Sequence, residues 1–342
     1  MSSADPRLRA VLDAGVPFAL PLRRRFRGID VREGMLIKGP NGWGEFAPFD
    51  DYSDAAAARW LDSAIEAAFG AWPAARRTEV EVNAIIPAVS ADDAATMTRA
   101  AVADRGCRTV KVKVGDDLAE DEARVASVRD VLDTLLGRGR GAVRIDANGS
   151  WDVDTAASAL RRLGAYGLEY VEQPCRSVGE LKQLRRRTDV PIAVDETVRN
   201  AGDPLAVRVR EFADVAVVKA APLGGVAAAL QVAEALDVPV VVSGSLDSSV
   251  GLAVGLALAA AMEDLPFACG LGTGALLGAD LVDDQQPPER GVLSVGRVSP
   301  DLPALLAARD RMTEERASWW RARLEAAWLA GTDVRLGDLV ST

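Results

Sequence analysis

Short apolar runs punctuate the chain from about residue 81 onward, near residues 81–86, 109–114, 142–146, 168–172, 190–195, 214–219, 238–243 and 267–271. Val and Ile dominate them, and several alternate poorly with polar residues, as strands buried on both faces do. Between them lie Ala-, Leu- and Arg-rich stretches with helical spacing, at 91–104, 118–136, 152–163, 177–187, 224–236 and 249–262. Asp92, Asp93, Asp116 and Asp117 stand where first-turn acids and caps belong, and Gly106, Gly164 and Gly167 stand near helix ends. Equivalent strand ends recur about every 25 residues, and strand–helix units at that pitch predict a parallel barrel rather than an open sheet. A doubly wound sheet would want a glycine fingerprint after its first strand, and residues 82–88 carry none. Gly270-Leu271-Gly272-Thr273-Gly274 has the look of a nucleotide loop, but it lies at the last run with no βαβ unit after it.

The first 80 residues follow another pattern. Residues 35–38 and 43–45 read as two strands around a turn at 39–42, and 54–70 as an amphipathic helix. Near the other end, 291–295 reads as a strand and 313–329 as a helix carrying Trp319, Trp320 and Trp328, which are expected to pack in a core. The two ends together predict one α+β capping lobe, residues 1–80 completed by 285–342, against a barrel at 81–284.

Composition narrows the function. A hydrophobic fraction of 49% supplies a sizeable core. No apolar run is long enough to span a membrane, and residues 1–7 lack the basic-then-apolar layout of a signal peptide. Cys107, Cys175 and Cys269 are isolated thiols with no C-x-x-C spacing, as expected of core residues in a reducing, cytoplasmic compartment. A net charge of −10 argues against nucleic acid or an anionic membrane as partner. The absence of histidine removes His-based triads, His-ligated zinc and His general bases. Nothing in the sequence gives the oligomeric state.

Against that background the lysines stand out. Only five of the 40 basic residues are Lys, and three of the five lie in strand-like runs: Lys111, Lys113 and Lys219. Arg keeps its proton in a protein whereas Lys can release it, so this choice points to proton transfer. Between the lysines, three runs end in acids: Asp146, Glu172 and Asp195. In a parallel barrel the C-terminal strand ends converge on one mouth. Three converging carboxylates repel unless a cation sits among them, and oxygen-only ligands suit Mg²⁺ or Mn²⁺ better than zinc. Lys113 and Lys219, on the flanking strands, should then face each other across that mouth. Lys111 points the same way as Lys113 and should lower its pKa. A lysine tuned toward neutrality can take a proton from carbon, and a metal on a substrate carboxylate would stabilise the enediolate that results. Taken singly, Asp146 reads as a turn or cap residue, Glu172 as a loop ion pair and a strand lysine as snorkelling to solvent. Six such residues in order on five successive strands make that account improbable.

These residues resemble the enolase superfamily, in its muconate-lactonising-enzyme-like branch. The resemblance rests on Lys111-Val112-Lys113, Asp146-Ala147-Asn148-Gly149-Ser150-Trp151, Glu172-Gln173-Pro174, Asp195-Glu196 and Lys219 before Pro222-Leu223-Gly224-Gly225. It covers the whole chain and implies a (β/α)7β modified TIM barrel with an α+β cap. It also implies Mg²⁺ (Mn²⁺ as the substitute) held by Asp146, Glu172 and Asp195, with acid/base lysines at 113 and 219. Within the branch, Ser243-Gly244-Ser245-Leu246-Asp247-Ser248-Ser249 and Gly270-Leu271-Gly272-Thr273 are similar to the o-succinylbenzoate synthases of menaquinone biosynthesis. Asp247 departs from the Glu expected there. The resemblance implies dehydration of a small cyclohexadiene carboxylate, with Ser243, Gly244, Ser245, Gly272 and Thr273 lining the substrate pocket. N-acylamino acid racemases and dipeptide epimerases use the same scaffold and stay as the alternative, although the D-x-D of the epimerases is missing at the eighth run. The basic segment 22–28, with Arg27, has two readings: a capping loop that attracts the substrate carboxylate, or a solvated loop on an acidic protein. Pro48 and Phe49 resemble a second capping loop, with the same two readings.

Overall fold

The computed structural model describes residues 5–283 and 287–331. The first four residues of the N-terminal segment, and residues 285, 286 and 332–342 of the expected cap, lie outside the described residues.

The N-terminal part forms α1 (Pro6–Asp13), β1 (Gly15–Phe26), β2 (Ile29–Gly39), β3 (Gly42–Phe46) and α2 (Asp54–Phe69). The three strands make an antiparallel sheet in the order β1-β2-β3. The hairpin at 39–42 is as expected, but α1 and β1 are additions. Asp5 caps α1 and Pro6 opens it, a start signal carried openly in the sequence. Residues 22–26, expected as loop, complete β1, and the turn falls at Arg27 (φ 50°) and Gly28 (φ 79°). Pro17 and Pro21 are tolerated because β1 is an edge strand, and the register shifts between Pro21 and Phe26.

The barrel follows as β4 (Glu79–Glu81), β5 (Ala84–Ile86), α3 (Ala91–Ala103), β6 (Thr109–Lys113), α4 (Leu118–Leu136), β7 (Ala142–Asp146), α5 (Val153–Leu163), β8 (Leu168–Glu172), α6 (Val178–Leu184), β9 (Ile192–Val194), α7 (Glu196–Arg199), β10 (Val215–Val218), α8 (Val226–Ala235), β11 (Val240–Val242) and α9 (Ser249–Ala261). Strands β5 to β11 pair in parallel in sequence order. The eighth apolar run does not form a full strand. It closes the ring through single bridges, Val82 to Cys269 on one side and Ser243 to Gly270 on the other. Gly272 follows, and a Cβ there would come within 2.3 Å of the Asn83 carbonyl oxygen, so the closure depends on that glycine.

After the barrel come β12 (Val292–Ser294), α10 (Leu302–Asp310) and α11 (Glu314–Leu329). The C-terminal part divides between the two bodies. β12 pairs with β4, and Leu293 and Val80 join the barrel core. Helix α11 packs with α1, α2 and β3 around Trp60, Phe46 and Trp320. The Trp320 indole meets the Phe46 ring edge-on at 6.0 Å and donates to Glu33 at 3.1 Å. A third core, holding Phe18, Leu36, Leu246, Val250 and Leu277, lies where the cap sheet meets the end of the barrel. The cap therefore sits over the strand ends that carry the acids.

Candidate active site

Strand pairing places the charged residues. Lys113 pairs with Asp146 across β6 and β7, and Asp146 with Glu172 across β7 and β8. Asp195 follows β9, Lys219 follows β10 and Ser243 follows β11. Side chains alternate along a strand, so Lys111 and Lys113 share the inward face with their partners.

All three acids are fully buried. Lys111 donates to Glu172 Oε2 at 2.9 Å and lies 3.4 Å from Asp146 Oδ2. Lys113 Nζ donates to Asp146 Oδ2 at 2.6 Å, and Lys219 Nζ to Asp195 Oδ2 at 2.6 Å. The two lysines thus approach the acid trio from opposite ends of the strand order. Lys113 also donates to Asn148 Oδ1 at 2.6 Å and lies 5.6 Å from the centre of the Phe26 ring, contributed by the cap.

Burial sets the electrostatics. It lowers the Lys113 pKa below the ordinary lysine value; Asp146 opposes it and the neighbouring Lys111 charge adds to it. The effect expected of Lys111 is present, but desolvation is the larger cause. Lys111 itself is pushed the other way: burial would lower it, and Glu172 and Asp146 raise it past that cost. Burial would raise Asp146, yet Lys113 and Lys111 hold it down at about 2. Asp195 is likewise held low, by Lys219 and Arg199 against burial. Glu172 is pushed up to about 7, by burial first and then by Asp146.

The acids offer an oxygen-only donor set for a divalent cation, and Glu172 Oε1 is buried with no hydrogen-bond partner. Among the described residues, no group of three His, Cys, Asp or Glu side chains is arranged to hold a metal ion as it stands. The cause is visible in the contacts, since each carboxylate is turned to an ammonium group. The donor chemistry fits a hard cation; the present rotamers serve the lysines.

The serine-rich segment runs past the end of β11. Ser243 is buried and its N–H donates to Val218 at 2.9 Å, beside Lys219. Gly244 donates to Gly270 at 3.0 Å. The Ser245 N–H donates to Asp247 Oδ2 at 2.7 Å, so the Asp found in place of Glu works inside the loop. Thr273 is buried, and its Oγ1 has no partner. Arg27 is exposed and stacks 4.5 Å over the Phe49 ring. It lines a cleft of about 580 Å³ with Tyr52, Asn148, Glu196 and Arg199, at the rim rather than against the serine-rich segment.

Sequence reasoning missed three cap-to-barrel links. Arg32 of β2 is fully buried and donates from Nε to the Leu246 carbonyl at 3.1 Å and from Nη2 to Ala47. Leu246 has φ 65°, so Arg32 braces a strained turn of the serine-rich loop. Glu45 of β3 accepts from Ser248, the cap residue of α9. Arg199, four residues after Asp195, donates to Asp195 Oδ1 at 2.9 Å and to the Tyr52 hydroxyl at 2.6 Å. Its i, i+4 spacing from Asp195 was a signal open to the sequence.

Comparison with known proteins agrees with this architecture. Residues 93–303 match the model of enolase C-terminal domain-like proteins, and 17–68 that of enolase N-terminal domain-like proteins. The muconate lactonizing enzyme of Pseudomonas putida superposes with a TM-score of 0.71 at 19% identity, covering 86% of this chain and 98% of that one. An N-succinyl Arg/Lys racemase of Bacillus cereus gives 0.72 at 18%, over 86% and 96%. Those likenesses speak for the fold. Sequence relatives are nearer. The o-succinylbenzoate synthase of Thermobifida fusca is 52% identical over 94% of this chain and 98% of its own length. That of Mycobacterium tuberculosis H37Rv is 49% identical over 94% and 96%, and that of Mycobacterium leprae 48% over 94% and 94%. With a barrel-wide family match and half-identical relatives along nearly its full length, the chain belongs to the enolase superfamily and, within it, to the o-succinylbenzoate synthase family.

Proposed function

We infer that the chain dehydrates 2-succinyl-6-hydroxy-2,4-cyclohexadiene-1-carboxylate to o-succinylbenzoate. The observation that carries this reading is a pair of buried lysines approaching one carboxylate cluster from opposite ends, in a chain half-identical to synthases.

Asp146, Glu172 and Asp195 are the residues that would hold Mg²⁺, or Mn²⁺ in its place. When bound, that ion neutralises part of the charge the substrate carboxylate gains as its α-proton leaves. Lys113 takes the proton from the carbon next to the carboxylate. Burial and the Lys111 charge both favour its neutral form, and Asn148 holds its nitrogen in place. The electron pair left on carbon passes into the carboxylate. Lys219 faces that charge from the other side. The pair then returns to form the ring double bond, the C–O bond to the hydroxyl breaks, and Lys113 gives its proton to the departing oxygen. Water and an aromatic ring result. One lysine serving both transfers implies loss of hydrogen and hydroxyl from the same face. Ser243, Gly244, Ser245, Gly272 and Thr273 line the remaining pocket, and the unpaired Thr273 hydroxyl is a donor awaiting a partner. Arg27, at the rim, attracts the substrate's anionic groups as they enter.

The racemase alternative has one feature in its favour: a lysine on each face also suits proton exchange at a single carbon. Disappearance of cyclohexadiene absorbance in the presence of Mg²⁺ separates the two. Turnover that is lost in Lys113→Ala, with Mg²⁺ binding retained, is expected. No turnover of the cyclohexadiene alongside racemisation of N-succinylamino acids would sink the synthase reading.

A further inference from the structure

Among the described residues, Arg199 is bonded at once to the cap and to both arms of the lysine–carboxylate cluster. The four-residue turn of α7 brings its side chain back over Asp195. Its guanidinium is buried and uses all three nitrogens: Nε donates to Asp195 Oδ1 at 2.9 Å, Nη1 to the Tyr52 hydroxyl at 2.6 Å, and Nη2 to Glu196 Oε1 at 2.8 Å. Asp195 Oδ2 is taken by Lys219, so Arg199 and Lys219 fix the two oxygens of one carboxylate. The second arm runs through Glu196. Its Oε1 also accepts from Asn148 Nδ2 at 3.3 Å, and Asn148 Oδ1 in turn accepts from Lys113 at 2.6 Å. Asn148 holds φ 47° and donates its N–H to Asp146 Oδ1, so its position is set on both sides.

Tyr52 supplies the cap's end of this chain of contacts. Its ring meets Phe49 edge-on at 5.9 Å and Trp60 at 6.0 Å, and its carbonyl accepts from Arg323 of α11. Tyr52 is therefore seated only when the cap core is assembled around it. We propose that Arg199 is a positioning residue through which Tyr52 sets Asp195 with Lys219 and, by way of Glu196 and Asn148, Lys113, so that seating the cap aligns both faces of the reaction. A lysine in place of Arg199 would keep the charge but not the planar fork that bonds three partners in three directions. This inference rests on the reading that Asp195 and the two lysines form the reacting site.

The test uses the full chain and three variants: Tyr52→Phe, Arg199→Lys and the double variant. Tyr52→Phe keeps the ring contacts and removes one hydroxyl, so it should fold as the parent does, with the urea midpoint lowered by no more than the loss of one hydrogen bond. Its kcat should fall about tenfold with KM little changed. Arg199→Lys should weaken binding of Mg²⁺ alone, measured by calorimetry without substrate, by about tenfold or more. The double variant should be no worse in kcat than Arg199→Lys, because the hydroxyl acts through the guanidinium. Unchanged kcat in Tyr52→Phe, unchanged Mg²⁺ affinity in Arg199→Lys, or independent effects that multiply in the double variant would each overturn the proposal. A parent protein that fails to consume the cyclohexadiene would overturn the dehydration reading instead, and the Mg²⁺ titrations would still decide the role of Arg199.

Discussion

Replacing Glu45 by Gln should make the protein more stable at about pH 8 and no more stable at about pH 5. Glu45 is buried on β3 and reaches Ser248 at the start of α9, and a Cβ on Gly251 would come within 2.7 Å of its carboxyl carbon. Burial pushes its carboxyl up from 4.5 to about 7; Asp247 adds to the rise, while Arg32 and the Ser248 hydrogen bond oppose it. The folded state therefore holds this proton more tightly than the unfolded chain does. Stability from the group is fully present below about 4.5 and is lost as the pH rises through about 7. At about 1.4 kcal/mol per unit, the ionised carboxylate costs on the order of 3 kcal/mol above that range. Gln removes that cost and weakens the Ser248 contacts, worth about 1 kcal/mol each. The net expectation is a gain of about 1–2 kcal/mol at pH 8, vanishing or reversing at pH 5. Urea unfolding of parent and variant, followed by tryptophan fluorescence, measures the difference, and contributions from titrating groups remote from Glu45 cancel in it. A variant destabilised equally at both pH values would refute the reasoning, because hydrogen bonding and not strained charge would then be what Glu45 supplies.

Three further outcomes follow from packing and burial. Gly44→Ala puts a Cβ within 1.9 Å of the Ala64 carbonyl oxygen on α2, and thermal unfolding should show a loss of about 3 kcal/mol or more. Arg144→Met removes a buried guanidinium that donates to Asn83 at 3.0 Å and to Ala268 at 2.7 Å and lies 4.8 Å from the Tyr170 ring; urea unfolding should show a loss of about 3–5 kcal/mol, and a neutral result would mean the inner barrel repacks around methionine. All three cysteines are buried and free, and burial pushes the Cys175 and Cys269 thiols up to about 12, so a thiol reagent should label none of them in the native protein and all three in urea.

What the sequence disclosed, and what it hid, divides along the range of the interactions involved. The acids and lysines were legible because each ends a short run of Val and Ile, and parallel strands must bring such ends together. The closing strand was legible as a run but not as bridges, since only the paired partners decide whether a ladder forms. β1 was hidden by Pro17, Pro21 and the exposed Arg23, Arg24 and Arg25, which are permitted because the strand is an edge. The Tyr52–Arg199 bond joins residues 147 apart, and nothing local to Tyr52 announces it. Arg27 kept both of its readings in the sequence; the structure places it at the cleft rim, over Phe49.

These hidden contacts share a direction: they run from the cap into the barrel mouth. Arg32 braces Leu246, Glu45 holds Ser248, and Tyr52 holds Arg199. The first two act on the loop after β11, and the third on the acid after β9. The barrel alone supplies the lysines and carboxylates through its strand register, which is why a scaffold shared at below 20% identity keeps the fold of the racemase and the lactonizing enzyme. A lysine on each face does not by itself choose between dehydration and proton exchange. That choice falls to the pocket that orients the substrate's ring and side chain. In this chain the strained turn at Leu246, beside the serines proposed to line the pocket, is held by an arginine from the cap, so under that proposal substrate selection should respond to changes in β2 and β3 that never touch the reacting atoms. Conservative variants at Arg32 are accordingly expected to raise KM more than they lower kcat, whereas variants at Tyr52 do the reverse, and steady-state kinetics on the two sets would separate the cap's part in binding from its part in alignment.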